Sequence, residues 1–300
     1  MTVTACVLVG QRLTGASWPL AHASAVYVVF AAVCYFASFV LRARGWHRLF
    51  PCEQQPDQAR CLASVGAAAA SGAVLPFRLD YLIKIGTLRR LGGVRIGLEA
   101  IALSIISLGL VDAVAFLPLS ISATATTSSS FRFPLMVVVA FGVACCGLLA
   151  FGRHLARLPF VARRPRLSGL VGRAARPVGA KREAVAAWLF LVGCWTSRAF
   201  GSTLLLAALG IGFSPTIALV VLCLSAAAAL IPIASGGAVA NVGATAAVLL
   251  ALGVHKEQAI NFGLASGLLL CGTAAVAALV GVAASLAVGL RTRAAAAASA

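Results

Sequence analysis

The sequence predicts an all-α fold: a polytopic helical bundle embedded in a membrane. Three observations carry this. First, 61% of the 300 residues are hydrophobic and 10% are charged, which leaves too little polar surface for a soluble domain of this length. Second, the apolar residues come in long runs of Ala, Leu and Val, where a membrane barrel would alternate with period two; mean hydropathy is +1.02. Third, the formal charge of +17 falls mostly between those runs. There it sets orientation and meets anionic lipid. Nucleic acid, the usual partner of so basic a soluble chain, is not expected.

Met1 to Cys6 lacks a basic region and a following apolar stretch, so no cleavable signal peptide is expected. Leu20 to Leu41 is the first spanning segment. It ends in Arg42, Arg44, Trp46, His47 and Arg48, read as bases marking the cytoplasmic side around an interfacial aromatic anchor. A polar loop runs to Arg60, and its Cys52 and Cys61 are expected to be free thiols. Leu62 to Leu75 is apolar but too short to cross, Pro76 stops it, and Arg78 to Arg95 is basic. A full crossing there would put the bases outside, so a re-entrant hairpin is expected, surrounded by protein or a watery cavity.

Ile96 to Leu119 then crosses outward, with Glu99 in its first turn, Ser120 to Ser130 forms an outer loop, and Phe133 to Phe151 returns. Residues 153–183 hold nine bases before Glu183 and form a cytosolic loop between two halves, about 20–152 and 184–290, of one membrane domain. Ala184 to Leu209 crosses outward and Thr216 to Ile231 returns. Pro232 to Gly243 is a second irregular patch, followed by the short Ala244 to Leu252 and by Ala259 to Leu290. Gly263 and Gly267 are spaced for close helix packing, and Arg291 and Arg293 put the C-terminus inside. About five full crossings result. Each half thus holds a proline-broken short segment, the pattern that points to a binding site between repeats.

The residues also resemble the flippase-like, lysylphosphatidylglycerol synthase transmembrane-region superfamily over roughly residues 25–280. Leu41-Arg42-Ala43-Arg44-Gly45-Trp46 is similar to its early Arg-rich helix end with Trp. Pro76-Phe77-Arg78-Leu79-Asp80-Tyr81-Leu82-Ile83-Lys84 is similar to its Pro-x-Arg-x-Gly-Glu-x-x-Arg element, and Asp112 stands for its helix acid. Pro232 to Val242 is similar to its Pro-x-x-Pro-Gly-Gly-x-Gly-x-x-Glu element. Departures are Asp80-Tyr81 for Gly-Glu, Lys84 for Arg, Leu108-Gly109 for a Glu-Arg pair, and Val242 for Glu. The resemblance implies movement of a lipid or lipid-linked head group across the membrane.

The candidate binding residues are Arg78, Asp80, Lys84, Asp112, Arg198, Gly236, Gly237 and Asn241. Arg78 offers a fork to phosphate. Asp80 and Lys84 are spaced for a helical ion pair. Asp112 and Arg198 lie inside apolar helices and are expected to pair, linking the halves. Gly236 and Gly237 free backbone amides, and Asn241 begins a helix whose positive end faces an anion. No catalytic triad, metal spacing or nucleotide-binding loop is present in the sequence. A non-enzyme without cofactor is therefore expected in the cytoplasmic membrane, with anionic lipids as partners. The alternative is a scaffold for a lipid-modifying or glycosyl-transfer enzyme.

Overall fold

The computed structural model describes residues 20, 23–72, 75, 79–91, 96–127, 129–155, 181–230 and 237–298. Among the described residues the order is α1 (Ala25–His47), a 3-10 turn (Cys52–Gln54), α2 (Gln58–Gly72), α3 (Asp80–Arg90), α4 (Leu98–Thr126) and α5 (Ser129–Leu155). Then follow α6 (Lys181–Ala208), α7 (Pro215–Leu230), α8 (Gly237–Ala251) and α9 (Lys256–Ala298). Five helices, α1, α4, α5, α6 and α9, are long and apolar enough to cross a membrane. The protein is a helical membrane bundle.

Its axis is the antiparallel pair α1 and α6. The Ser24 N–H donates to the Ala208 carbonyl at 3.2 Å, the Tyr35 and Ser202 hydroxyls meet at 3.0 Å, and Arg48 reaches Glu183 at 3.0 Å. Residue numbers thus rise on one helix as they fall on the other. The last contact ties the basic end of α1 to the start of α6. It is half-exposed, with side chains 39% and 34% accessible, so it contributes about 1 kcal/mol or less.

Around this axis lie two hairpins. In the first, the Ser64 hydroxyl on α2 donates to the Lys84 carbonyl on α3 at 2.6 Å, which holds the two helices against each other. In the second, the Ser225 and Thr245 hydroxyls join α7 to α8 at 3.2 Å. Thr216 to Ile231 was expected to recross alone; instead α7 is only 16 residues, short of the ~20 a span requires, and is half of a hairpin.

Exchanging α1 with α6, α2 with α7, α3 with α8 and α4 with α9 maps most of the packed helix pairs onto one another. Thus α2 lies on α9 as α7 lies on α4, and α1 lies on α9 as α6 lies on α4. The departures are α5, which has no counterpart among the described residues, and α8, which packs on α9 more than α3 does on α4. Because α1 and α6 run oppositely, the hairpins start from opposite ends of the bundle. This is the arrangement of inverted repeats.

The hairpins approach each other midway along α9. The Cys271 thiol lies 3.9 Å from the Ala70 carbonyl, two residues before the end of α2. A Cβ on Gly267, one turn earlier, would lie 3.5 Å from Val242 near the start of α8. Small residues permit this closeness. A Cβ on Gly66 would meet Ala278 N at 2.5 Å, one on Gly281 would overlap Ala63 N, and Val242 crowds Gly263. The packing expected of Gly263 and Gly267 is therefore seen, with α8 as the partner.

Two helix ends need glycine for its left-handed backbone. Gly210 (φ 73) and Gly253 (φ 84) follow α6 and α8; the next N–H in each case bonds back, Ile211 to Leu206 and Val254 to Leu249, the usual stop for an α-helix. The Ser- and Thr-rich stretch expected as an outer loop from Ser120 is helical to Thr126. Its hydroxyls donate to carbonyls one turn back, as Thr124 does to Ser120 at 2.7 Å and Thr127 to Ala123 at 2.6 Å. These bonds let polar residues remain in an apolar helix.

Candidate intramembrane cation site

The site is built on one stripe of α1. Ser38, Arg42 and Trp46 recur every four residues, so they lie on one face. Helix α1 runs on to His47, past the boundary expected at Leu41, and this draws Arg42 and Trp46 into the bundle.

Arg42 makes the central contact. Its guanidinium forks onto Asp112 of α4, with Nη2 to Oδ2 at 2.6 Å and Nη1 to Oδ1 at 3.5 Å. Their side chains are 22% and 13% accessible. The Trp195 indole N–H of α6 donates to the same Asp112 Oδ1 at 2.8 Å. The acid is thus held by donors from both halves. The expected Asp112–Arg198 pair is not formed; Arg42 takes the carboxylate.

Arg198 is instead joined to Asp112 through Trp195. Its guanidinium lies 5.2 Å from the Trp195 ring centroid and 5.4 Å from that of Phe39. Its Nε–H donates to the Ser38 hydroxyl at 3.2 Å, and Ser38 in turn donates to the Tyr35 carbonyl at 2.7 Å. Among the described residues no carboxylate lies within ion-pair distance of Arg198.

Lys84 completes the group. It is 8% exposed, and on α3 it shares its buried face with Leu88. Its ammonium sits 4.1 Å above the Trp46 ring. Trp46 is fully buried, and its indole N–H donates to Ser104 at 3.1 Å, which fixes the ring plane. This corrects the reading of Trp46 as an interfacial anchor. The expected Asp80–Lys84 ion pair is also absent among the described residues; Asp80 opens α3 close against Gly72. Burying an ammonium on an aromatic face recovers about 2 kcal/mol or somewhat more, less than the loss of hydration.

The balance is uneven: among the described residues three cations, Arg42, Lys84 and Arg198, gather around Asp112, only Arg42 is in ion-pair contact with it, and Asp80 acts on Lys84 from beyond ion-pair distance. Of the other expected residues, Arg78 and Gly236 lie outside the described residues, while Gly237 and Asn241 fall in the first turn and a half of α8. Arg42, Ser38, Trp46 and Trp195 were not among the expected binding residues, although the four-residue spacing of the first three marks a common face.

The profile of the family described as the lysylphosphatidylglycerol synthase TM region matches residues 9–277. The chain belongs to that family. Membership agrees with the five spanning helices and makes this an integral, multi-pass membrane protein. Comparison with curated proteins and with solved structures finds no match.

Proposed function

We propose that the protein binds an anionic lipid head group and carries it across the cytoplasmic membrane. One observation supports this most: a buried lysine that, among the described residues, has no carboxylate within ion-pair distance, beside an Arg–Asp pair and at the junction of both halves and the first hairpin. A stability role would favour a neutral residue there, because intramembrane charge is costly. An excess of cations supplies what a phosphate needs when its hydration is removed. Nothing in the cluster resembles an acid–base pair for covalent chemistry, so binding and movement is the reading, not catalysis. The bases at the end of α1 and in the sequence beyond α5, with Arg291 and Arg293, support a cytosolic position for those ends and for the C-terminus.

The test is movement of fluorescent phosphatidylglycerol and phosphatidylcholine in sealed proteoliposomes, read by dithionite quenching. Protein-dependent movement of the anionic lipid, faster than that of the zwitterionic one, is expected. No movement of either would favour the scaffold alternative, in which the membrane domain serves a lipid-modifying or glycosyl-transfer enzyme.

A further inference from the structure

We propose that Lys84, Arg42 and Arg198 are three successive phosphate stations along one face of α1, leading from the basic end of the bundle to its midplane. The proposal rests on the lipid-handling reading above. Lys84 lies against Trp46, Arg42 is on α1 itself, and Arg198 bonds to Ser38. Trp46, Arg42 and Ser38 are four residues apart, so each step is ~6 Å along the helix. A phosphate held at one station is within a side-chain length of the next. It need not cross low-dielectric space uncompensated, where an isolated charge is heavily penalised.

The deepest station lies at a structural boundary. One apolar core packs Phe39, Ala43 and Trp46 of α1 with Ala187 and Leu191 of α6. A second packs Ala31 and Tyr35 of α1 with Leu204 to Leu206 of α6. Ser38 and Arg198 fall in the gap between them on both helices. On α9 the same gap, between Ala265 and Ala274, holds Gly267 and Cys271, where both hairpins arrive. The ladder therefore ends at the level where the second hairpin starts α8.

Each station has a distinct commitment. Lys84 has no anionic partner among the described residues. Arg42 is held by Asp112 and must exchange carboxylate for phosphate; Asp112 then keeps the Trp195 N–H as a donor. Arg198 commits Nε to Ser38, and among the described residues its two terminal nitrogens meet no carboxylate, which leaves them to grip two phosphate oxygens. The middle station is thus a latch between two open ones.

Full-length protein provides the test, with translocation of fluorescent phosphatidylglycerol measured in liposomes. Binding of dihexanoyl phosphatidylglycerol and of inorganic phosphate is measured separately in detergent. Lys84→Met is expected to weaken lipid binding about tenfold or more, the loss of one charge-assisted contact. Arg198→Gln is expected to weaken binding less than Lys84→Met does, yet to slow translocation about tenfold or more. Arg198→Lys, which keeps the charge without the fork, restores part of that rate, and it carries the test if the Gln variant does not fold.

A wild-type translocation rate in Arg198→Gln, or binding losses equal in the two variants, overturns the ordered path and leaves the lipid reading standing. A wild-type protein that neither binds nor moves the lipid overturns both. Inorganic phosphate bound as tightly as the lipid, with the same dependence on Lys84, supports the stations and assigns them to a free anion. Lipid binding without phosphate binding assigns them to the head group.

Discussion

Arg42 of α1 and Asp112 of α4 form a forked ion pair inside the bundle, 2.6 Å at its shorter contact, with the Trp195 N–H of α6 as a third arm. Three helices from both halves are therefore fastened at one carboxylate. The pair is mostly desolvated, so removing one partner leaves a buried charge alone. Arg42→Gln or Asp112→Asn is expected to lower stability by about 3–5 kcal/mol. The double change Arg42→Met with Asp112→Leu is expected to recover much of that loss. Thermal unfolding in detergent checks this. Single variants that unfold at the wild-type temperature would show that the pair carries no structural weight.

Trp195→Phe separates the indole N–H from the ring. The phenyl group still covers Arg198, but Asp112 loses a donor. A loss of about 1.5–3 kcal/mol is expected, the range for a hydrogen bond to a charged group. Trp195→Phe as stable as wild type would mean that Arg42 alone satisfies the acid.

Helix α2 lies against α9 through glycine. A Cβ at Gly281 or Gly66 would meet backbone atoms of the other helix, which cannot swing aside as a side chain can. Gly281→Ala and Gly66→Ala are each expected to cost about 1–3 kcal/mol. Gly272, also on α9, has open space around its Cβ direction. Gly272→Ala is expected to be neutral or to stabilise by about 0.5–1 kcal/mol, because alanine is the better helix former. If all three alanines behaved alike in thermal unfolding, the close α2–α9 approach would be wrong.

Convergence of the two hairpins on α9 is open to cross-linking. Ala70→Cys is expected to form a disulfide with native Cys271 under mild oxidation. Val242→Cys is expected to do so with an added Gly267→Cys. Both should appear as a mass loss of ~2 Da per bridge in intact-protein spectra, one bond per pair of thiols. Absence of both cross-links would place the hairpins apart.

The helices were legible because apolar runs of spanning length leave few alternatives. The first hairpin was legible from the short run broken at Pro76; the second showed in the break at Pro232 and the short Ala244 to Leu252, but Thr216 to Ile231 was read as a crossing of its own. Asp112 announced itself as an acid within an apolar helix, and its need for a partner followed from desolvation. Its partner was misread because Arg42 stands first in a run of bases that looks like a membrane boundary. Only the continuation of α1 to His47 carries Arg42 inside. Lys84 was visible as a charge but not as a buried one; its spacing from Leu88 was the available sign. The loop expected from Ser120 was missed because hydroxyl donation to the preceding turn is invisible in composition.

Lys84 offers the sharpest separation of function from stability. Its ammonium is buried on Trp46, and among the described residues no acid lies within ion-pair distance of it. Lys84→Met keeps much of the side-chain volume and removes the desolvation penalty. Stability is expected to stay level or rise, the usual sign of a residue kept for function. The decisive measurement is the initial rate of phosphatidylglycerol movement in sealed proteoliposomes containing either wild type or Lys84→Met, both verified as folded. The account predicts a rate about tenfold or more lower in the variant, with a melting temperature at or above wild type. Equal rates would contradict it, and so would a variant that melts earlier.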